Sequence, residues 1–169
     1  MNEIINKIAN SPLLNIDLEE FYPEGPRIQI DIAAWLDQGL ILREKEFREA
    51  LKNHDWAIYS DAYVALHCST DAILPGWAYL LMSTYLQNYA KQVVVGDLDD
   101  LNEFLFHEII YAMDLEGFED KKVIIKGCSH KPVPQSAYIL LAQRLLPKVN
   151  SLMYGEACST VPLYKKRKA

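Results

Sequence analysis

The chain has 169 residues, half of them apolar and 24% charged, with a net charge of −6; that balance describes a globular protein and excludes a disordered one. The longest apolar run, Trp77 to Met82, is far too short to span a bilayer, and Met1-Asn2-Glu3-Ile4-Ile5 lacks the basic start and apolar stretch of a secretion signal, so a soluble cytoplasmic protein with no membrane association is expected. Lys165-Lys166-Arg167-Lys168 place four cations at the C-terminus, leaving a body of net charge −10, which excludes nucleic-acid binding through a general basic footprint.

The length suffices for one core without disulfide staples. Residues 1–26 read as an irregular N-terminal segment, in which Ile4, Ile5 and Ile8 share a short helical face and Pro12, Pro23, Gly25 and Pro26 punctuate an acidic run. Residues 27–164 read as a single α/β domain, and 165–169 as a solubilising basic tail. Arg27 to Ile32 alternate polar and apolar with period two, which predicts a half-exposed, antiparallel strand. Residues 43–53 predict a helix with Phe47, Ala50 and Leu51 inward and Glu44, Glu46, Arg48 and Lys52 outward.

A repeated plan follows. Strand 63–67 leads into an apolar helix at 77–89, strand 92–95 into a helix at 99–112, and strand 122–126 into a helix at 135–148. Consecutive strand–helix units are the pattern of a parallel sheet with right-handed crossovers. Val93-Val94-Val95 and Val123-Ile124-Ile125 are continuous apolar runs, as expected when helices cover both faces. Pro162 could not donate to a central ladder, so Cys158 to Lys165 reads as an edge strand. The predicted fold is a three-layer α/β sandwich with a mostly parallel central sheet and an antiparallel edge strand. The helix at 77–89 is apolar nearly all round, a buried core helix or one face of a homodimer.

The chemistry concentrates on three cysteines. Cys68 ends one predicted strand, Cys128 follows another, Cys158 opens the last, and each precedes a serine. An odd number of widely spaced cysteines suits thiols or metal ligands in a reducing compartment better than a disulfide framework. Ligands of open α/β sheets gather at the carboxyl ends of the strands. If strand 63–67 lies beside strand 122–126, with strand 92–95 outside, Cys68 and Cys128 emerge about 4.8 Å apart and can share an ion, with Cys158 folding back over that edge. Asp71, His130 and Glu156 are the nearest candidates for a fourth ligand; His67 should face the other side of its strand.

A second chemical reading makes Cys68 or Cys128 a nucleophile, Cys68 being activated by the helix that follows it, with His67, His107 or His130 as base. The loops after Cys68 and Cys128 contain no arginine, so a cysteine-phosphatase loop is not supported, and the lack of a P-loop or GxGxxG sequence argues against nucleotide binding of the usual kinds. Ser69, Thr70 and Asp71 read as caps of the next helix, and Asp97, Asp99, Asp100 and Glu103 as a helix N-terminus.

Four stretches carry a family resemblance: Gln38-Gly39-Leu40-Ile41-Leu42-Arg43-Glu44-Lys45, Cys68-Ser69-Thr70-Asp71-Ala72-Ile73, Lys126-Gly127-Cys128-Ser129 with Lys131-Pro132-Val133-Pro134, and Tyr154-Gly155-Glu156-Ala157-Cys158-Ser159-Thr160-Val161-Pro162. Through them the chain resembles the uncharacterised bacterial family called domain of unknown function 2480, over nearly its whole length. The resemblance brings no established activity. It implies a gene neighbourhood that often includes iron–sulfur cluster assembly proteins, and its pattern does not demand a histidine at the position of His130. The leading expectation is therefore a metal-binding protein holding zinc or iron through Cys68, Cys128 and Cys158, an accessory factor in iron–sulfur assembly. The alternatives are a thiol-dependent enzyme and a non-catalytic dimeric interaction module.

Overall fold

The computed structural model describes residues 13–127, 130–156 and 158–167. In chain order these form β1 (Leu13–Ile16), β2 (Arg27–Asp31), α1 (Glu44–Asn53), β3 (Tyr63–His67), α2 (Gly76–Leu86), β4 (Gln92–Val95), α3 (Leu98–Ala112), β5 (Lys122–Ile125), α4 (Gln135–Leu145), β6 (Ser151–Glu156) and β7 (Ser159–Lys165). The α/β class is as expected, with mostly parallel strands and one antiparallel pair at an edge. The strands divide between two sheets, however, and contacts group the chain into two compact units where a single domain over 27–164 was expected.

One unit comprises Met1–Pro23 with Leu105–Ala169, around a sheet of order β1-β5-β6-β7. Leu14 and Ile16, Val123 and Ile125, and Leu152 alternate onto one face of that sheet and pack against Phe106, Ile110, Leu141 and Leu145. The guanidinium of Arg144 donates to the carbonyls of Ile110 and Met113, satisfying the last turn of α3. β5, α4 and β6 make a strand–helix–strand crossover, and β7 returns antiparallel to β6.

The other unit, Glu24–Phe104, holds the sheet β2-β3-β4, parallel throughout. Phe47 and Leu51 lie four residues apart on the buried side of α1, as do Ala78, Met82 and Leu86 on α2, and both helices close over Ile30, Val64 and Leu66. Trp56 joins this core with its indole N–H donating to the carbonyl of Leu51 at 2.7 Å. Leu80 is the exposed exception on α2.

Several expectations need correction. β2 is parallel to β3, because period-two alternation reports one-sided burial and carries no information on strand direction. β3 does not lie beside β5; its neighbours are β2 and β4. Within the stretch read as irregular, Leu13–Ile16 forms β1 and Leu18–Phe21 a 3-10 turn. β6 escaped notice because Gly155 interrupts it, adopting φ +123°. The basic tail begins inside β7, and Lys166 continues the hairpin, its amide donating to Asn150 and its ammonium meeting Asp120 at 2.7 Å.

Phe47→Ala or Leu141→Ala should each cost about 2–5 kcal/mol in urea denaturation, since each empties a fully buried site. Exposed Leu163→Ser should stay within about 0.5 kcal/mol of the wild type.

Candidate functional site

The six expected ligands divide between the two units. Cys68 and Asp71 belong to the unit of β2-β3-β4, whereas His130, Glu156 and Cys158 belong to that of β1-β5-β6-β7. Cys128 and Ser129 lie outside the described residues. The adjacent-strand argument linking Cys68 to Cys128 therefore fails, because β3 and β5 are in different sheets. The strands that do adjoin β5 are β1 and β6, the latter in parallel register from Lys122↔Ser151 to Ile125↔Tyr154. Among the described residues no group of three or more His, Cys, Asp or Glu side chains is placed to hold a metal ion.

At the carboxyl edge of the four-stranded sheet, β6 ends at half-buried Glu156 and exposed Cys158 follows in the turn to β7. β5 continues into Lys126 and Gly127. The Lys126 ammonium meets Asp17 at 2.9 Å, and this hydrogen bond, reinforced by the Glu156 and Glu20 carboxylates, raises its pKa above the ordinary lysine value. A Glu19 carboxylate oxygen accepts the backbone N–H groups of His130 (3.0 Å) and Lys131 (3.1 Å). The loop after β5 is thus tied to the turn after β1, its parallel neighbour. At Gly127 an added Cβ would meet the end of the Tyr154 ring, which would have to shift to admit it. Asp17, Glu19, Lys126 and Tyr154 were missed by sequence reading, although the run Asp17-Leu18-Glu19-Glu20 was a visible signal.

At the carboxyl edge of the three-stranded sheet, Asp31 plays the part of Glu19. Its carboxylate accepts from the Ser69 hydroxyl (2.5 Å), the Ser69 N–H (3.0 Å) and the Ala33 N–H (3.0 Å). The Ser69 hydroxyl is the foremost reason that the Asp31 pKa lies below the usual carboxylate value. The Thr70 hydroxyl donates to the Gly39 carbonyl. Ser69 and Thr70 thus hold loops together and do not cap α2, which begins at Gly76 after Pro75 with no side-chain cap. That helix start also lies too far along the chain to activate Cys68. The Sγ of half-buried Cys68 lies 3.4 Å from Thr70 Oγ1, within hydrogen-bond reach for a sulfur.

His67 lies, as expected, on the face of β3 opposite the core residues Val64 and Leu66. The Gln29 side-chain oxygen accepts the Leu98 N–H at 3.2 Å, so the Gln29 amide NH2 points to His67 Nε2 at 2.8 Å. His67 Nε2 then accepts, which puts the ring proton on Nδ1. The Asp97 carboxylate accepts the N–H groups of Asp99 and Asp100 while Asp100 accepts that of Asp97, the helix N-terminus anticipated for this acidic run.

Because the folded Asp31 pKa is depressed, its contribution to stability is present above the unfolded value and is lost as pH falls through the folded one. Ser69→Ala should therefore be most destabilising near neutrality, and the gap from wild type should close below about pH 4. Denaturant titrations between neutral and acid pH read this directly; a gap constant with pH would contradict it.

No curated protein and no solved structure matches the chain. A family described as "Protein of unknown function (DUF2480)" matches residues 2–166, which take in the edges bearing Cys68 and Cys158 together with the cores beneath them. That match spans nearly every described element, and the chain belongs to the DUF2480 family.

Proposed function

We propose that the protein binds zinc or iron at the carboxyl edge of the four-stranded sheet, with Cys128 and Cys158 as the thiolate pair and Glu156 as a further donor. One observation carries this reading: β5 and β6 are hydrogen-bonded parallel neighbours, and in the sequence Cys128 follows the end of β5 by three residues and Cys158 the end of β6 by two. Adjacent strands stand about 4.8 Å apart, compatible with two sulfurs each about 2.3 Å from one ion. Soft thiolates beside a carboxylate favour zinc or iron over magnesium or calcium.

Cys68 and Asp71 drop out of this ligand set, since their loop belongs to the other sheet and the Cys68 thiol is engaged with Thr70. His130 enters at most through its loop, whose backbone Glu19 holds. An accessory role in iron–sulfur cluster assembly, in a reducing cytoplasm, is the cellular reading that a two-thiolate site of this kind supports best.

Protein purified anaerobically without added metal should contain close to stoichiometric zinc or iron by elemental analysis. Cys158→Ser or Cys128→Ser should lower metal affinity by about tenfold or more, and Cys68→Ser should leave it unchanged. Metal-free wild type, or metal loss in Cys68→Ser alone, would defeat the assignment.

A further inference from the structure

The turn after β2 displays apolar side chains on a rigid frame. Leu40 is 52% exposed and Ile41 54%, and Ile73, from the loop after β3, is 94% exposed. Together with Leu42, Ala72 and Pro75 they surround a hollow of about 400 Å³ whose one charged lining residue is Asp71. This exposure is built in. Asp37 and Ile41 exchange backbone hydrogen bonds of 2.8 and 3.0 Å, Arg43 clamps Asp37 at 2.7 Å, and Thr70 ties Gly39 to the loop carrying Ile73. Placing three large aliphatics in water on a braced surface has the character of an interaction site.

The chain also carries a surface of complementary chemistry. On β7, Val161 is 60% and Leu163 55% exposed, and Lys165, Lys166 and Arg167 follow. The unit bearing the hollow, residues 24–104, has 13 acidic against 6 basic side chains, net −7. Pro162 removes a donor from the edge of β7, so this strand is ill suited to extend a sheet and better suited to present side chains. Among the described residues, both surfaces are exposed. A self-pairing of the hollow with its own copy would bring two Asp71 carboxylates and two acidic units together, which the charge disfavours.

We propose that the hollow of one copy receives Val161 and Leu163 of a second copy, with the basic end of β7 beside Asp71. The contact joins two different surfaces, so it closes as a reciprocal dimer or a ring and otherwise propagates.

The test is sedimentation velocity over a concentration series up to roughly 100 μM, well into the range of a micromolar Kd. Wild type should self-associate, more weakly at high salt. Ile73→Asp, which spoils the hollow, and the double variant Val161→Asp with Leu163→Asp, which spoils the strand, should each weaken association about tenfold or more while melting like wild type. Mixing the two variants should restore a one-to-one complex that grows no further, because one intact hollow then meets one intact strand. A monomeric wild type overturns the proposal. So does association untouched by either variant, which would move the interface elsewhere, for instance to the face of α2 carrying Leu80.

Discussion

Parallel pairing brings every strand of a sheet out at the same edge, so the loops leaving neighbouring strands crowd together there before any helix can begin. In both units that crowding is managed by one carboxylate reaching across from the neighbouring strand. Asp31, at the end of β2, accepts three hydrogen bonds and holds the loop after Cys68. Glu19, just beyond β1, accepts two and holds the loop after Cys128. The loops after β3 and β5 are thus each anchored by an acid at the end of, or just beyond, the adjacent parallel strand. Backbone donors in such loops would otherwise have neither ladder nor helix partners.

The two edges give their thiols opposite surroundings. Cys68 is half-buried and within hydrogen-bond reach of Thr70, whose hydroxyl donates to the Gly39 carbonyl, so the thiol sits against a contact that links two loops. Cys158 is exposed, in a turn beside Glu156, with the Lys126 ammonium close to the same carboxylate. A metal-binding thiol must give up its proton and stay reachable. Of the two, Cys158 is the more exposed, although the sequence presents both as a cysteine at a strand edge followed by serine.

The glycines of the family stretches have physical reasons of their own. Gly39 turns at φ +71° within the Asp37–Ile41 bridge, Gly127 leaves room for the Tyr154 ring, and Gly155 takes φ +123° where a Cβ would strike the Ser159 carbonyl. Two of the three serve the edge that bears Cys158. The third braces the turn that exposes Leu40 and Ile41. The stretches around these glycines therefore build two surfaces, one polar, the other apolar.

What the sequence determined by itself is the class of element at each place. Apolar runs such as Val123-Ile124-Ile125, the spacing of Phe47 and Leu51, and the acidic start of α3 follow from burial periodicity and capping chemistry, which are local. Pro162 likewise marked β7 as an edge strand. Only the tertiary structure decided which strands are neighbours, because hydrogen-bonded ladders look alike to a periodicity argument whichever strand supplies the partner. It therefore put Cys68 and Cys158 at the ends of strands in different sheets, set Ser69 and Thr70 to tying loops instead of capping α2, and brought Asp17 and Glu19, read as part of an irregular segment, to the edge where β5 and β6 end.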